Sequence, residues 1–225
     1  MFKQFLKYIL LLPAILSVLL TSTQASAACN ATTNGNWSTV GIWSCGYVPI
    51  TTDDVNITAS PVTLNQDVAV KSITIAFGGS LNASNFILTL TATEPIIVAG
   101  STFTPGTSTV KLSDANHTIN TSITFYNLQW VSAPTAARTI TINTIITIAA
   151  SGTFNLDGMP TNPVTFAGTG NFGSPVTVNN CAGKPASMTN LTCNPPAGGG
   201  GGAVSAPIGI SLDTKPVIFS REVVR

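Results

Sequence analysis

The sequence predicts an all-β chain coiled as a right-handed β-solenoid with disulfide-bearing end caps, and three observations carry that expectation. Apolar residues recur with a period of two in short segments separated by turn residues, and no stretch offers a 3.6-residue apolar period. Thr, Ser and Asn dominate the polar positions and only 8% of residues are charged, which suits pleated outer faces and tight corners. All four cysteines fall outside the strand-rich middle. A β-sandwich with ordinary edge bulges is the alternative that the same alternation permits.

Residues 1–27 read as an export signal. Lys3 and Lys7 make a basic start, residues 8–20 form an apolar run broken only by Pro13 and Ser17, and Ala25-Ser26-Ala27 places small residues at a cleavage site. The run is short of the roughly 20 residues that a membrane span needs, and no second one follows downstream. Lipidation at Cys29 is the competing reading, weakened by Ser26 where a lipobox carries Leu. Losing Lys3 and Lys7 turns nine bases against eight acids into seven against eight. A near-neutral surface without Lys and Arg clusters argues against nucleic-acid binding and against electrostatic docking to membranes.

Residues 28–193 form the expected β-solenoid domain. Within residues 138–149, Ile140, Ile142, Ile146 and Ile148 share one phase, while Thr139, Thr141 and Thr147 take the other, so that segment reads as one long half-buried strand. Phe86, Leu88 and Leu90 repeat the pattern, as do Val110 and Leu112 against Lys111 and Ser113. Val68 and Val70 are out of phase with Ile73 and Ile75, which predicts a bulge or corner near Lys71-Ser72 joining two faces of a coil. A similar switch is expected at Phe125-Tyr126. Residues 194–202, with two prolines and five consecutive glycines, read as a linker. Residues 203–225 form a tail that is too short to fold alone, yet rich in Ile, Val and Phe; docking as an added strand, in cis or in trans, is one expectation, and a frayed terminus or the start of a truncated second domain the other.

Four exported cysteines allow three pairings by arithmetic. Cys29–Cys45 and Cys181–Cys193 are the favoured pairs, each closing a short loop at one end of the domain, where an open solenoid needs a cap. No C-x-x-C spacing occurs and there is one histidine, so a metal site is not expected.

Chemistry is sparse. The adjacent acids Asp53 and Asp54 read as a turn leading into Val55, with calcium binding and catalysis as the lesser alternatives. His117, in Asn116-His117-Thr118, reads as a surface histidine. Neither a nucleophile elbow nor a phosphate loop, zinc-helix motif or dinucleotide fingerprint is present, and no cofactor is implied. Trp37, Trp43 and Tyr47 crowd around Cys45: they are expected to cap the core, and are the candidates for stacking on sugar rings if exposed. Trp130, in phase with Leu128, is expected in the core.

Residues 34–58, which run Asn-Gly-Asn-Trp-Ser-Thr-Val-Gly-Ile-Trp-Ser-Cys-Gly-Tyr-Val-Pro and end in Asp-Asp-Val-Asn-Ile-Thr, resemble the opening cap of bacterial secreted β-helix and surface-repeat proteins. Residues 106–156, with Gly-Thr-Ser-Thr-Val-Lys-Leu, Thr-Phe-Tyr-Asn-Leu and Gly-Thr-Phe-Asn-Leu, look like a rung set of the same kind. The pattern is similar to the N-terminal module of proteobacterial MshQ-like surface proteins, associated with pilus biogenesis. That resemblance implies a cell-surface location and an architectural role; it does not carry over what the later domains of the larger relatives do.

The function expected from the sequence is thus a secreted or cell-surface structural module, adhesive or part of an extracellular assembly, and not an enzyme. Its partners would be surface proteins, glycans or further copies joined through the tail. A carbohydrate-binding module is the alternative, followed by a polysaccharide-processing β-helix enzyme.

Overall fold

Strands of two to five residues make few hydrogen bonds each, and stacking on counterparts one coil away along the chain lets many of them share one core. That is what the computed structural model shows over the residues it describes, 28–130 and 134–197. The expected export signal at 1–27, linker residues 198–202 and the tail at 203–225 lie outside the described residues.

Successive strands visit three faces in turn, and every named strand pairs in parallel with its counterparts in neighbouring coils, making a β-solenoid of about seven turns. Face one stacks β1 (Cys29–Ala31), β3 (Asp54–Thr58), β6 (Ser72–Ala76) and β9 (Ile96–Ala99). A separate sheet then continues it with β12 (His117–Ile119), β15 (Arg138–Ile142), β18 (Val164–Ala167) and β21 (Cys181–Gly183). Face two stacks β2 (Gly35–Asn36), β4 (Pro61–Thr63), β7 (Ser80–Asn82) and β10 (Thr102–Thr104), and resumes with β13 (Ile123–Phe125), β16 (Ile145–Ile148) and β19 (Asn171–Phe172). Face three runs unbroken across that level through β5 (Val68–Val70), β8 (Ile87–Leu90), β11 (Thr109–Leu112), β14 (Asn127–Trp130) and β17 (Phe154–Asn155). It closes with β20 (Val176–Val178) and β22 (Leu191–Cys193). The all-parallel pairing excludes the β-sandwich, whose sheets are antiparallel.

In-register stacking turns the alternation of each strand into columns. Val55, Ile73 and Ile96 lie one above another inside face one; Leu88, Val110 and Leu128 do the same inside face three. All six are buried, and each such aliphatic side chain contributes roughly 1.5–3 kcal/mol by leaving water. Outward columns are polar: Asn30 beside Asn56, Thr118 beside Thr141, Thr124 beside Thr147. Asparagine ladders tie the coils at their edges, as where the Asn143 side-chain amide donates to Asn120 Oδ1 (2.7 Å) and the Asn120 amide to Glu94 Oε1 (2.9 Å).

The phase shift near Lys71 is a corner between β5 and β6, and that near Tyr126 is a corner between β13 and β14. Residues 138–149 are not one strand: β15 ends at Ile142, the chain turns at Asn143-Thr144, and β16 starts at Ile145 on another face. A step of four from Ile142 to Ile146 preserves parity, so the alternation conceals the turn. Coil stacking leaves no room for a side chain at Gly152, where a Cβ would overlap the Tyr126 carbonyl oxygen of the preceding coil.

Candidate functional site

The first coil is sealed by a cap built from the aromatic cluster. A short 3-10 turn, Val40–Ile42, folds the chain back so that Trp37 and Trp43 meet edge to face with ring centroids 4.7 Å apart. Trp43 Nε1 donates to the Trp37 carbonyl at 2.8 Å, and the two residues are 0% and 3% exposed. Neither can therefore offer a ring face to a sugar. Tyr47 is 44% exposed, but its hydroxyl donates to Asp53 Oδ1 (3.2 Å), and the same carboxylate accepts the Ile50 N–H (2.9 Å). Partial desolvation, followed by the Asp53 charge and hydrogen bond, raises the Tyr47 phenol above its ordinary pKa. Asp53 is thus a buried turn holder leading into Val55. The Cys29–Cys45 bridge ties β1 to this cap, and Cys181–Cys193 joins β21 to β22 at the other end.

The remaining described acids are also engaged in holding coils together. Asp54 accepts from Lys71 Nζ (2.7 Å) and the Ser72 hydroxyl (2.5 Å); desolvation opposes its ionisation, but these two donors outweigh it and the carboxyl lies below its ordinary range. Asp67 accepts the Ile87 N–H, and Asp157 accepts both the N–H and the side-chain amide of Asn179. Asp114 receives the Thr135 hydroxyl, the Thr135 N–H (2.8 Å) and Arg138 Nε (2.9 Å). The Thr135 hydroxyl first, then its N–H and the guanidinium, hold this carboxyl low in spite of desolvation. A depressed folded-state pKa contributes stability that is complete above the unfolded value of about 3.9 and is lost as pH falls through the folded one. Asp114→Asn should accordingly lower the melting temperature at neutral pH and make it less sensitive to acidification below about pH 4; parallel acid melts of variant and parent would show otherwise. Among the described residues no group of three His, Cys, Asp or Glu could hold a metal ion, and no helix is long and apolar enough to cross a membrane.

His117 is not at the surface. It is 0% exposed and occupies an inward position of β12, in register with Ile140 of β15. Its Nδ1 lies 2.8 Å from the Ala92 carbonyl oxygen and its Nε2 2.9 Å from that of Ser113. Both neighbours are acceptors, so a neutral ring can donate to only one of them at a time. β12 does not pair with β9, but the Thr118 N–H donates to the Thr93 carbonyl (2.6 Å), and the His117 ring adds side-chain contacts to that single main-chain bond. Beside it the Thr121 hydroxyl donates to the Val98 carbonyl (2.7 Å) and accepts the Val98 N–H (3.3 Å). Face one is thus stitched across the gap by one main-chain hydrogen bond and by the side chains of His117 and Thr121.

Face two is not stitched in the same way. Between β10 and β13 the ladder is interrupted, and a cleft of about 470 Å³ opens there. Its walls are residues 101–103 and 122–124, with Val98, Ile145 and Thr147 completing the rim and floor. Phe103 is half-buried and packs edge-on against Phe125 at 6.2 Å, while Ile145 is 56% exposed. The Ser122 hydroxyl is engaged with that of Thr144 and the Ser101 hydroxyl donates to the Ala99 carbonyl. The hydroxyls of Thr102, Thr124 and Thr147 have no partner among the described residues. Among the described residues no ionisable side chain lines the cleft. Sequence reasoning passed over these residues, since each belongs to an ordinary alternating segment and only the missing rung brings them to one opening.

Comparison with protein-family models, with curated proteins and with solved structures finds no match for this chain.

Proposed function

We propose that this protein is a secreted or cell-surface structural module that works through its outer faces, as an adhesive element or as a subunit of an extracellular assembly, and that it is not an enzyme. The observation that carries the reading is the use made of the polar residues. Each described acid holds a turn or a neighbouring coil, while the outward columns of Asn and Thr form uncharged, repetitive surfaces on a frame closed at both ends by disulfides. Two disulfides suit an oxidising compartment and agree with the export signal read at 1–27. The resemblance of residues 34–58 and 106–156 to MshQ-like surface modules supports the same placement.

Exposed apolar side chains add a reason to expect contacts with other molecules. Phe77 is 85% exposed at a corner where its φ of 51° is left-handed, an uncommon conformation for a bulky residue. Assembly through the tail is tested by size-exclusion chromatography with light scattering on residues 28–225 and 28–197. The longer form should assemble and the shorter remain a monomer. Monomers in both would dispose of self-assembly and leave binding by the outer faces as the basis of adhesion.

A further inference from the structure

We propose that the face-two cleft between β10 and β13 binds an uncharged oligosaccharide. The inference deepens the adhesive reading and rests on it, naming the chemistry that the surface would recognise.

The composition of the cleft selects the ligand. Three hydroxyls without partners among the described residues, those of Thr102, Thr124 and Thr147, stand around a lining to which Phe103, Ile123 and Ile145 contribute apolar surface. A sugar presents the same combination, with hydroxyls that both donate and accept at its edge and C–H groups on its ring face, which pack on an aromatic such as Phe103. The volume of about 470 Å³ falls among those of small-ligand sites. A lipid chain would cover the three threonine hydroxyls without giving them partners. An anionic or cationic ligand would find no counter-charge among the described residues, none of whose ionisable side chains lines the cleft.

A peptide strand is the other class that an interrupted ladder invites, because β10 and β13 each present an unpaired edge. The gap decides against it. The two strands approach within 8 Å by their Cα atoms, whereas a strand inserted between them needs two inter-strand spacings, roughly 9.5 Å. What the gap leaves is a shallow opening over side chains, suited to a ligand that lies on the face.

Saturation-transfer NMR on the mature chain, residues 28–225, with cellohexaose, maltohexaose, chitohexaose and mannohexaose as probes tests this. At least one should receive saturation, and anionic sialyllactose should not. Thr124→Arg, at an exposed position pointing away from the core, should abolish the signal with the circular dichroism spectrum unchanged. Phe103→Leu, which keeps the floor apolar but removes the ring, should weaken binding about threefold to tenfold. Silence from all four hexasaccharides, undiminished binding by Thr124→Arg, or binding of an extended Thr/Val peptide in place of the sugars would each overturn the proposal. Light scattering on the same samples keeps the readings separate: assembly without sugar binding removes only the cleft proposal, and sugar binding without assembly removes only self-association.

Discussion

Trp37→Ala should destabilise the chain by about 3–5 kcal/mol, the range for emptying a buried aromatic site. Trp37 is among the largest fully buried side chains and is the partner against which Trp43 packs. Without it the ring of Trp43 and the inner side of the first coil, including Ile42, lose their cover. Each coil of a solenoid contacts only its neighbours, so the damage should begin locally. Amide exchange should accelerate first in β1 and β3, with β15 and β18 following only when the whole stack opens. A uniform loss of protection, or a denaturation midpoint like that of the parent, would contradict the capping role. Trp37→Phe should be milder, because the indole Nε1 of Trp37 is buried without a hydrogen-bond partner among the described residues and its removal relieves that burden.

Reduction of the two disulfides should have an effect of similar size at each end. The bridges close loops with sequence separations of 16 and 12 residues, for which chain-entropy arguments give about 3 kcal/mol apiece. Together they amount to about 6 kcal/mol, against a whole-domain stability of about 5–15 kcal/mol. The fully reduced chain should melt far below the oxidised one, and the paired replacements Cys29→Ala with Cys45→Ala and Cys181→Ala with Cys193→Ala should each reproduce about half of the effect. Thermal melts with and without reductant, with thiol titration to prove reduction, measure this; unchanged melting of a chain with four free thiols would rule out the staples as a source of stability.

Much of this architecture is legible in the residues themselves. Parity of apolar positions along a strand is a local property, so Leu88 and Leu90, Val110 and Leu112, and the corners at Lys71 and Tyr126 can be read directly. The spacing of the cysteines, together with the need of an open stack for caps, favours the local pairs among three possible pairings, and the crowding of Trp37 and Trp43 beside Cys45 points to the same place. His117 could not be read in this way. Its strand holds a single apolar residue, Ile119, to mark the inward phase, and the polar neighbours Asn116 and Thr118 suggest solvent although the ring faces inward.

The sequence by itself therefore determined an all-β chain of short alternating segments with its cysteines at the two ends, because these depend on alternation, turn residues and cysteine positions within a few tens of residues. That the strands pair in parallel between coils, and that residues 138–149 divide at Asn143-Thr144, came from the tertiary structure. Tertiary structure alone decided where the stack is interrupted. Whether β10 hydrogen-bonds to β13 depends on how segments about twenty residues apart settle against a shared core, with the Thr118 main chain and the His117 and Thr121 side chains bridging face one while face two stays open. That relation is one of spacing between coils, and no periodicity along the chain encodes it.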